Sequence, residues 1–202
     1  MVMDAFEVAG RIARLHGARN VQLLLVDSLR WDLGQMVKAR LGGLLGARAS
    51  LADEVLLWSA LPTTTARQMD TLARGPEVLR CAGEREQETE SLRGRTAEFV
   101  RRIRVGSRDV HKLDLVEARL REPGGDPRLV LGPVADTVAQ VIVRHSEGLA
   151  PRTLLFVFGD HGFAFEKAPR SAEGPAVIVR QGGAWPEEVL VPGFALLIGA
   201  VH

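Results

Sequence analysis

Three segments carry acids, hydroxyls and an imidazole to the ends of apolar runs. In Val-Gln-Leu-Leu-Leu-Val-Asp-Ser-Leu-Arg-Trp-Asp, residues 21–32, an apolar stretch from Leu23 to Val26 stops at Asp27. Thr63, Thr64 and Thr65 follow Pro62, which closes the apolar segment Glu54–Leu61. Asp160 and His161 follow Thr153–Phe158 in Gly159-Asp160-His161-Gly162. Two carboxylates and an imidazole suit a divalent cation such as zinc or manganese. A hydroxyl beside that ion becomes a nucleophile as its proton is made more acidic. The chemistry implied is metal-assisted hydrolysis. Each acid also has a plainer reading as a helix cap or turn residue, so the case depends on whether all of them reach one place.

An α/β framework would bring them there. A run with no polar position is what a strand buried on both faces requires, and aspartate is disfavoured inside strands, so Asp27 is expected at a strand's carboxyl end. Ligands of open α/β sheets gather at that edge. Further strands are expected at Glu54–Leu61, Arg108–Leu115, Thr153–Phe158, Ala176–Val179 and Val189–Ile198. Helical spacing marks Asp4–His16, Trp31–Leu45, the stretch from Thr63 to Arg74, Thr96–Val105, and a helix from Pro133 to Glu147. Gly83–Arg95 is polar without an apolar face and reads as a flexible surface connection. Alternating strands and helices predict one domain over residues 1–202, a three-layer α/β/α fold with a mostly parallel central sheet.

Composition narrows the class. With 46% hydrophobic residues in 202, the chain can fill a sizeable core. A net charge of +1 gives no global attraction to nucleic acid or to an anionic membrane. Cys81 is the only cysteine, which excludes an intramolecular disulfide and a Cys-rich zinc site. Asp4 and Glu7 stand where a signal peptide would be basic and then apolar, and no apolar run reaches about 18 residues. The expectation is a cytoplasmic protein without a membrane partner.

Four segments, in this order, carry a resemblance: Leu-Leu-Leu-Val-Asp-Ser-Leu-Arg-Trp-Asp, Ser-Ala-Leu-Pro-Thr-Thr-Thr-Ala-Arg, Phe-Val-Phe-Gly-Asp-His-Gly-Phe and Gln-Gly-Gly-Ala-Trp-Pro-Glu-Glu-Val-Leu-Val-Pro. The chain resembles the PglZ domain of the alkaline phosphatase superfamily over most of its length. The resemblance implies an alkaline-phosphatase-like fold, a two-metal site, and phosphohydrolase or phosphodiesterase activity. It also implies a setting in bacterial phage defence of the BREX and phage-growth-limitation kinds, with other phage-defence proteins as partners and a phosphate ester or nucleic acid as substrate. Asp27 matches the first-strand metal ligand, Thr65 the nucleophile, and Asp160 and His161 the adjacent ligand pair. His111 and Asp114 match a His-x-x-Asp pair assigned to the second metal.

The chain departs from the pattern at Gln181, where a metal-binding histidine is expected; an amide is a far poorer ligand than an imidazole. This favours the rival reading, a non-catalytic domain that binds a partner protein or nucleotide. Arg30 and Arg67 flank the expected pocket in sequence and could pair with phosphate oxygens. The basic segment from Arg93 to Arg108 offers a nucleic-acid track, or more simply a solvated helix face.

Overall fold

Leu24, Leu25 and Val26 are wholly shielded from solvent, as a run apolar at every position must be if both sheet faces are covered. The computed structural model describes residues 1–80, 91–97, 99–122, 126–168 and 177–199. In chain order its elements are α1 (Ala5–Leu15), β1 (Asn20–Val26), α2 (Trp31–Leu44), β2 (Ala49–Trp58), α3 (Thr65–Arg74), β3 (Ser91–Ala97), β4 (Val100–Val105), β5 (Arg108–Leu113), α4 (Val116–Leu120), α5 (Leu131–Glu147), β6 (Thr153–Gly159), β7 (Ala164–Lys167), β8 (Val177–Arg180), α6 (Pro186–Val189) and β9 (Leu190–Ile198). Seven strands form the central sheet in the order β2-β9-β6-β1-β5-β4-β3, and β7 pairs with β8 apart from it.

Alternation along the strands sorts side chains into two cores. Leu24 and Val26, with Leu155 and Val157 of β6, pack against Leu33 and Val37 of α2 and Val138 and Ile142 of α5. Leu23 and Leu25, with Phe156 and Phe158, pack against Ala9 and Ile12 of α1 and Met69 and Leu72 of α3. Helices therefore cover both faces, and each fully buried Leu, Val or Phe contributes about 1.5–3 kcal/mol. Among the described residues no helix is long and apolar enough to cross a membrane.

The sheet is mixed. Parallel pairing is confined to its centre, where β1 lies between β5 and β6. On either side the pairings are antiparallel: β6 with β9 and β9 with β2, and β5 with β4 and β4 with β3. The expectation of a mostly parallel sheet fails on these flanks because the connections there are short or turn back on themselves. Val100–Val105, expected as helix, is a strand folded against β5 through Gly106, which takes a φ of 59°. Its valines and isoleucine fit either period, and the hairpin partner decides. Ser91–Ala97 extends this flank as a strand, covering the end of the expected connection Gly83–Arg95 and the first two residues of the expected helix. Residues 81–90, with Cys81, lie outside the described residues. The second strand begins earlier than Glu54 and is an edge strand, leaving Leu56 and Trp58 exposed.

At the central strands the register does the positioning. Leu113, Val26 and Gly159 are aligned across β5, β1 and β6. The next residues in the three segments are Asp114, Asp27 and Asp160, a row of acids along one carboxyl edge at the inter-strand spacing of about 4.8 Å.

Candidate metal centre

Asp27, Asp160 and His161 each turn one ligand atom inward, and these atoms lie within 4.8 Å of one another; the three side chains are buried and could hold a metal ion. Backbone geometry fixes each donor. Asp160 Oδ1 accepts hydrogen bonds from the backbone N–H of Ser28 (3.0 Å) and of His161 (2.8 Å), which leaves Oδ2 facing the centre. Ser28 reaches Asp160 because its φ is 58°, a left-handed conformation that a non-glycine residue adopts only where its surroundings enforce it. His161 Nδ1 is 2.8 Å from the Gly162 carbonyl, a contact that makes Nδ1 the donor and turns Nε2 to the carboxylates. Nε2 lies 3.8 Å from Asp27 Oδ1 and 3.7 Å from Asp160 Oδ2. Two carboxylate oxygens and one imidazole nitrogen, all oriented by hydrogen bonds to their other atoms, fit a divalent ion.

The turn carrying Asp160 and His161 needs its glycines. A Cβ on Gly162 would stand 2.0 Å from the Glu187 carbonyl oxygen, and one on Gly159 would stand 2.5 Å from that of Leu29. Backbone oxygens cannot swing aside, so only glycine lets these loops close over the pair.

The three consecutive threonines divide three tasks. Thr63 donates to the Gly183 carbonyl (2.9 Å) and accepts from the Gly182 N–H, tying the Gln181 loop to this edge. Thr64 is the N-cap of α3 and accepts from the Arg67 N–H. Thr65 occupies the first turn of α3, and its Oγ1 lies 2.9 Å from Asp160 Oδ2, 3.1 Å from His161 Nε2 and 3.3 Å from Asp27 Oδ1. Of the three hydroxyls, that of Thr65 enters the centre.

Lys112 was not singled out by its sequence context. Its Nζ lies 2.8 Å from Asp27 Oδ2 and 2.6 Å from Asp114 Oδ1, on a buried side chain. Burial opposes this ammonium, but Asp27, Asp160 and Asp114 outweigh it and hold its pKa above the usual lysine range. The other end of the pair responds differently. Burial and the Asp160 carboxylate push Asp27 up to about 6 despite Lys112. Burial pulls His161 down, and Asp160, the Gly162 carbonyl, Asp27 and Glu117 more than restore it, so its pKa stands above the ordinary histidine value.

Other expected site residues are placed elsewhere or are already engaged. His111 does not join the centre: it pairs in register with Leu24, and its ring contacts Gln22 and lies 4.9 Å, centroid to centroid, from that of His145. The reason is alternation. In an extended strand, positions three apart face opposite sides, so His111 and Asp114 cannot both turn to Asp27; Lys112 and Asp114 share the Asp27 side instead. That parity was the signal from which Lys112 could have been found. Asp114 is held by Lys112 and by Arg101, whose Nε is 2.5 Å from Oδ2.

Arg30 grips Asp32 through Nε and Nη2, donates from Nη1 to the Phe163 carbonyl, and lies over the Phe163 and Phe165 rings. Arg67 is buried and donates from Nε to the Leu61 carbonyl. Both arginines thus hold a loop carbonyl near the centre, Arg30 through Nη1 and Arg67 through Nε. Gln181 donates to Glu117 Oε1 at 3.2 Å, beside the carboxylate whose field reaches His161. No protein-family model matches the chain, and no curated protein matches its sequence.

Proposed function

We propose that this chain is a metal-dependent phosphoric ester hydrolase of the PglZ type, acting on phosphodiesters, with zinc or manganese held by Asp27, Asp160 and His161 and with Thr65 as nucleophile. One observation carries the reading: the Thr65 hydroxyl lies within 3.3 Å of two buried carboxylates and an imidazole that together can hold a divalent ion. A bound ion would supply the charge that acidifies the hydroxyl and offsets the negative charge of the phosphoryl group.

The chain's own contribution is position. Thr65 stands at the amino end of a ten-residue helix, where unpaired backbone N–H groups and the helix dipole favour phosphate oxygens. Its Oγ1 forms a bond to phosphorus as the bond from phosphorus to the departing alcohol oxygen breaks. The threonine proton leaves to solvent and the departing oxygen takes one up. Water then displaces the phosphorylated threonine and restores the hydroxyl. A phosphodiester within nucleic acid belongs to the same substrate class, and phage defence beside other defence proteins in the bacterial cytoplasm is the setting that accompanies this reading.

The test is hydrolysis of bis(p-nitrophenyl) phosphate by purified protein before and after chelation, with zinc or manganese restored. Thr65→Ala should abolish turnover and Thr65→Ser should retain part of it. Because Thr64 is the helix cap, the alanine variant should keep its fold. Turnover that survives chelation, or full turnover in Thr65→Ala, would remove the proposal. Bound metal with no turnover would favour the non-catalytic, partner-binding reading.

A further inference from the structure

Asp27 offers two oxygens, and the structure uses them differently. Oδ1 faces Thr65 and His161, and Oδ2 faces the Lys112 ammonium at 2.8 Å. A centre with two ions would require Asp27, or a neighbour on the β5 side, to present donors to the second of them. The residues expected to do so are engaged elsewhere, face away, or offer only a poor ligand. Asp114 has Oδ1 on Lys112 and Oδ2 on Arg101. His111 faces the opposite side of the sheet, against Gln22 and His145. Gln181 donates its amide N–H to Glu117, and the carbonyl oxygen that remains is a far poorer ligand than an imidazole. The place between Asp27 and Asp114 is thus filled by a cation that the chain itself supplies, on a side chain only 7% exposed.

We infer that Lys112 stands in for a second metal ion: the centre takes one divalent ion per chain, and the Lys112 ammonium provides the other positive charge facing the phosphoryl group. The inference rests on the metal-dependent reading above. Lys112 makes and breaks no covalent bond; its ammonium holds Asp27 in place through Oδ2 and stabilises negative charge on the transferring group by charge-assisted hydrogen bonding. Phosphoryl transfer depends largely on positioning and on cations around the equatorial oxygens, and a fixed ammonium can meet part of that need without a second coordination sphere. Gln181 follows from the same arrangement, because a histidine there has no ion to bind while Lys112 is present.

The experiment is metal stoichiometry. Chelator-stripped wild type, Gln181→His, Lys112→Met and Lys112→Met/Gln181→His are equilibrated with zinc or with manganese, and ions per chain are measured by mass spectrometry of the dialysed protein. One ion is expected in wild type and in Gln181→His. Two are expected in the double variant, where Asp27 Oδ2 and Asp114 Oδ1 are released and an imidazole is added. Inorganic phosphate should bind the metal-loaded Lys112→Met protein about tenfold more weakly than wild type. Two ions in wild type, a second ion gained by Gln181→His alone, or unchanged phosphate affinity in Lys112→Met would each overturn the inference while leaving a metal-dependent hydrolase standing. No ion in wild type would overturn both. If Lys112→Met does not fold, the wild-type and Gln181→His stoichiometries decide.

Discussion

Replacing His145 by leucine should flatten the acid side of the protein's stability curve. His145 is buried in the last turn of α5, and neither ring nitrogen has a hydrogen-bond partner among the described residues. Burial, and then the neighbouring His111 ring, lower its pKa from 6.5 to about 4. The sign follows from proton counting. Between those values the unfolded chain binds a proton that the folded chain does not, so stability is fully present above pH 6.5 and is lost as pH falls toward 4. At about 1.36 kcal/mol per unit of pKa difference, the full effect is about 3.4 kcal/mol, of which about 2.5 kcal/mol should be gone at pH 4.5. Urea unfolding of wild type and His145→Leu from pH 7.5 to 4.5, with chelator present, isolates this group because other titrations are common to both. The variant should match or exceed wild type at pH 7.5, where it sheds two unsatisfied nitrogens. It should lose about 2.5 kcal/mol less on acidification to pH 4.5. Stability curves that run parallel over this range would refute the reasoning.

Asp160→Ala should lower the metal content of the purified protein, whereas His111→Ala should leave it unchanged, since His111 belongs to the His145 contact on the far side of the sheet; dialysis against zinc followed by metal analysis distinguishes them. Gly162→Ala should cost about 1–3 kcal/mol in urea unfolding and weaken metal binding, because the added methyl meets the Glu187 carbonyl at 2.0 Å. Thr64→Ala should cost about 1 kcal/mol through the lost cap while retaining turnover, read by urea unfolding beside the ester assay. With metal bound, bis(p-nitrophenyl) phosphate should be turned over with a higher kcat/KM than p-nitrophenyl phosphate; the reverse order would contradict the charge balance of the site.

The acids of the centre were legible because the chain writes an apolar run and then a carboxylate, and β1 and β6 do end immediately before Asp27 and Asp160. What a run of residues cannot display is its neighbour. In Val100–Val105, Val100 and Ile103 satisfy a helical spacing, and only the hairpin with β5 selects the strand. The antiparallel flanks escaped for the same reason: nothing inside Leu190–Ile198 states that it will lie against β6 in reverse. Lys112 escaped because a lysine in a strand reads as a solvated face. Its partners, Asp27 from one segment and Asp114 from the next turn, gather only once the register of β1 and β5 is known. His111 illustrates the converse, a residue with suitable chemistry whose parity along the strand sends it away from the site.

The row of acids created by that register poses an electrostatic problem that the rest of the site answers. Asp27, Asp114 and Asp160 bring three negative charges to adjacent strand ends, and Lys112 and Arg101 return two, leaving one negative charge in excess. Glu117 nearby is matched by Arg121. Burial is the larger cause of the upward displacement of Asp27 to about 6, and the neighbouring Asp160 carboxylate adds to it. A divalent ion among Asp27, Asp160 and His161 would reverse the balance to one positive charge, which a phosphodiester with its single negative charge matches. A doubly charged monoester would leave negative charge uncompensated in a buried site, where the field between unpaired charges is strong. With Lys112 in place a second divalent ion would overshoot to three positive charges. One ion, one buried lysine and a singly charged ester therefore form a consistent set, each depending on the others for charge.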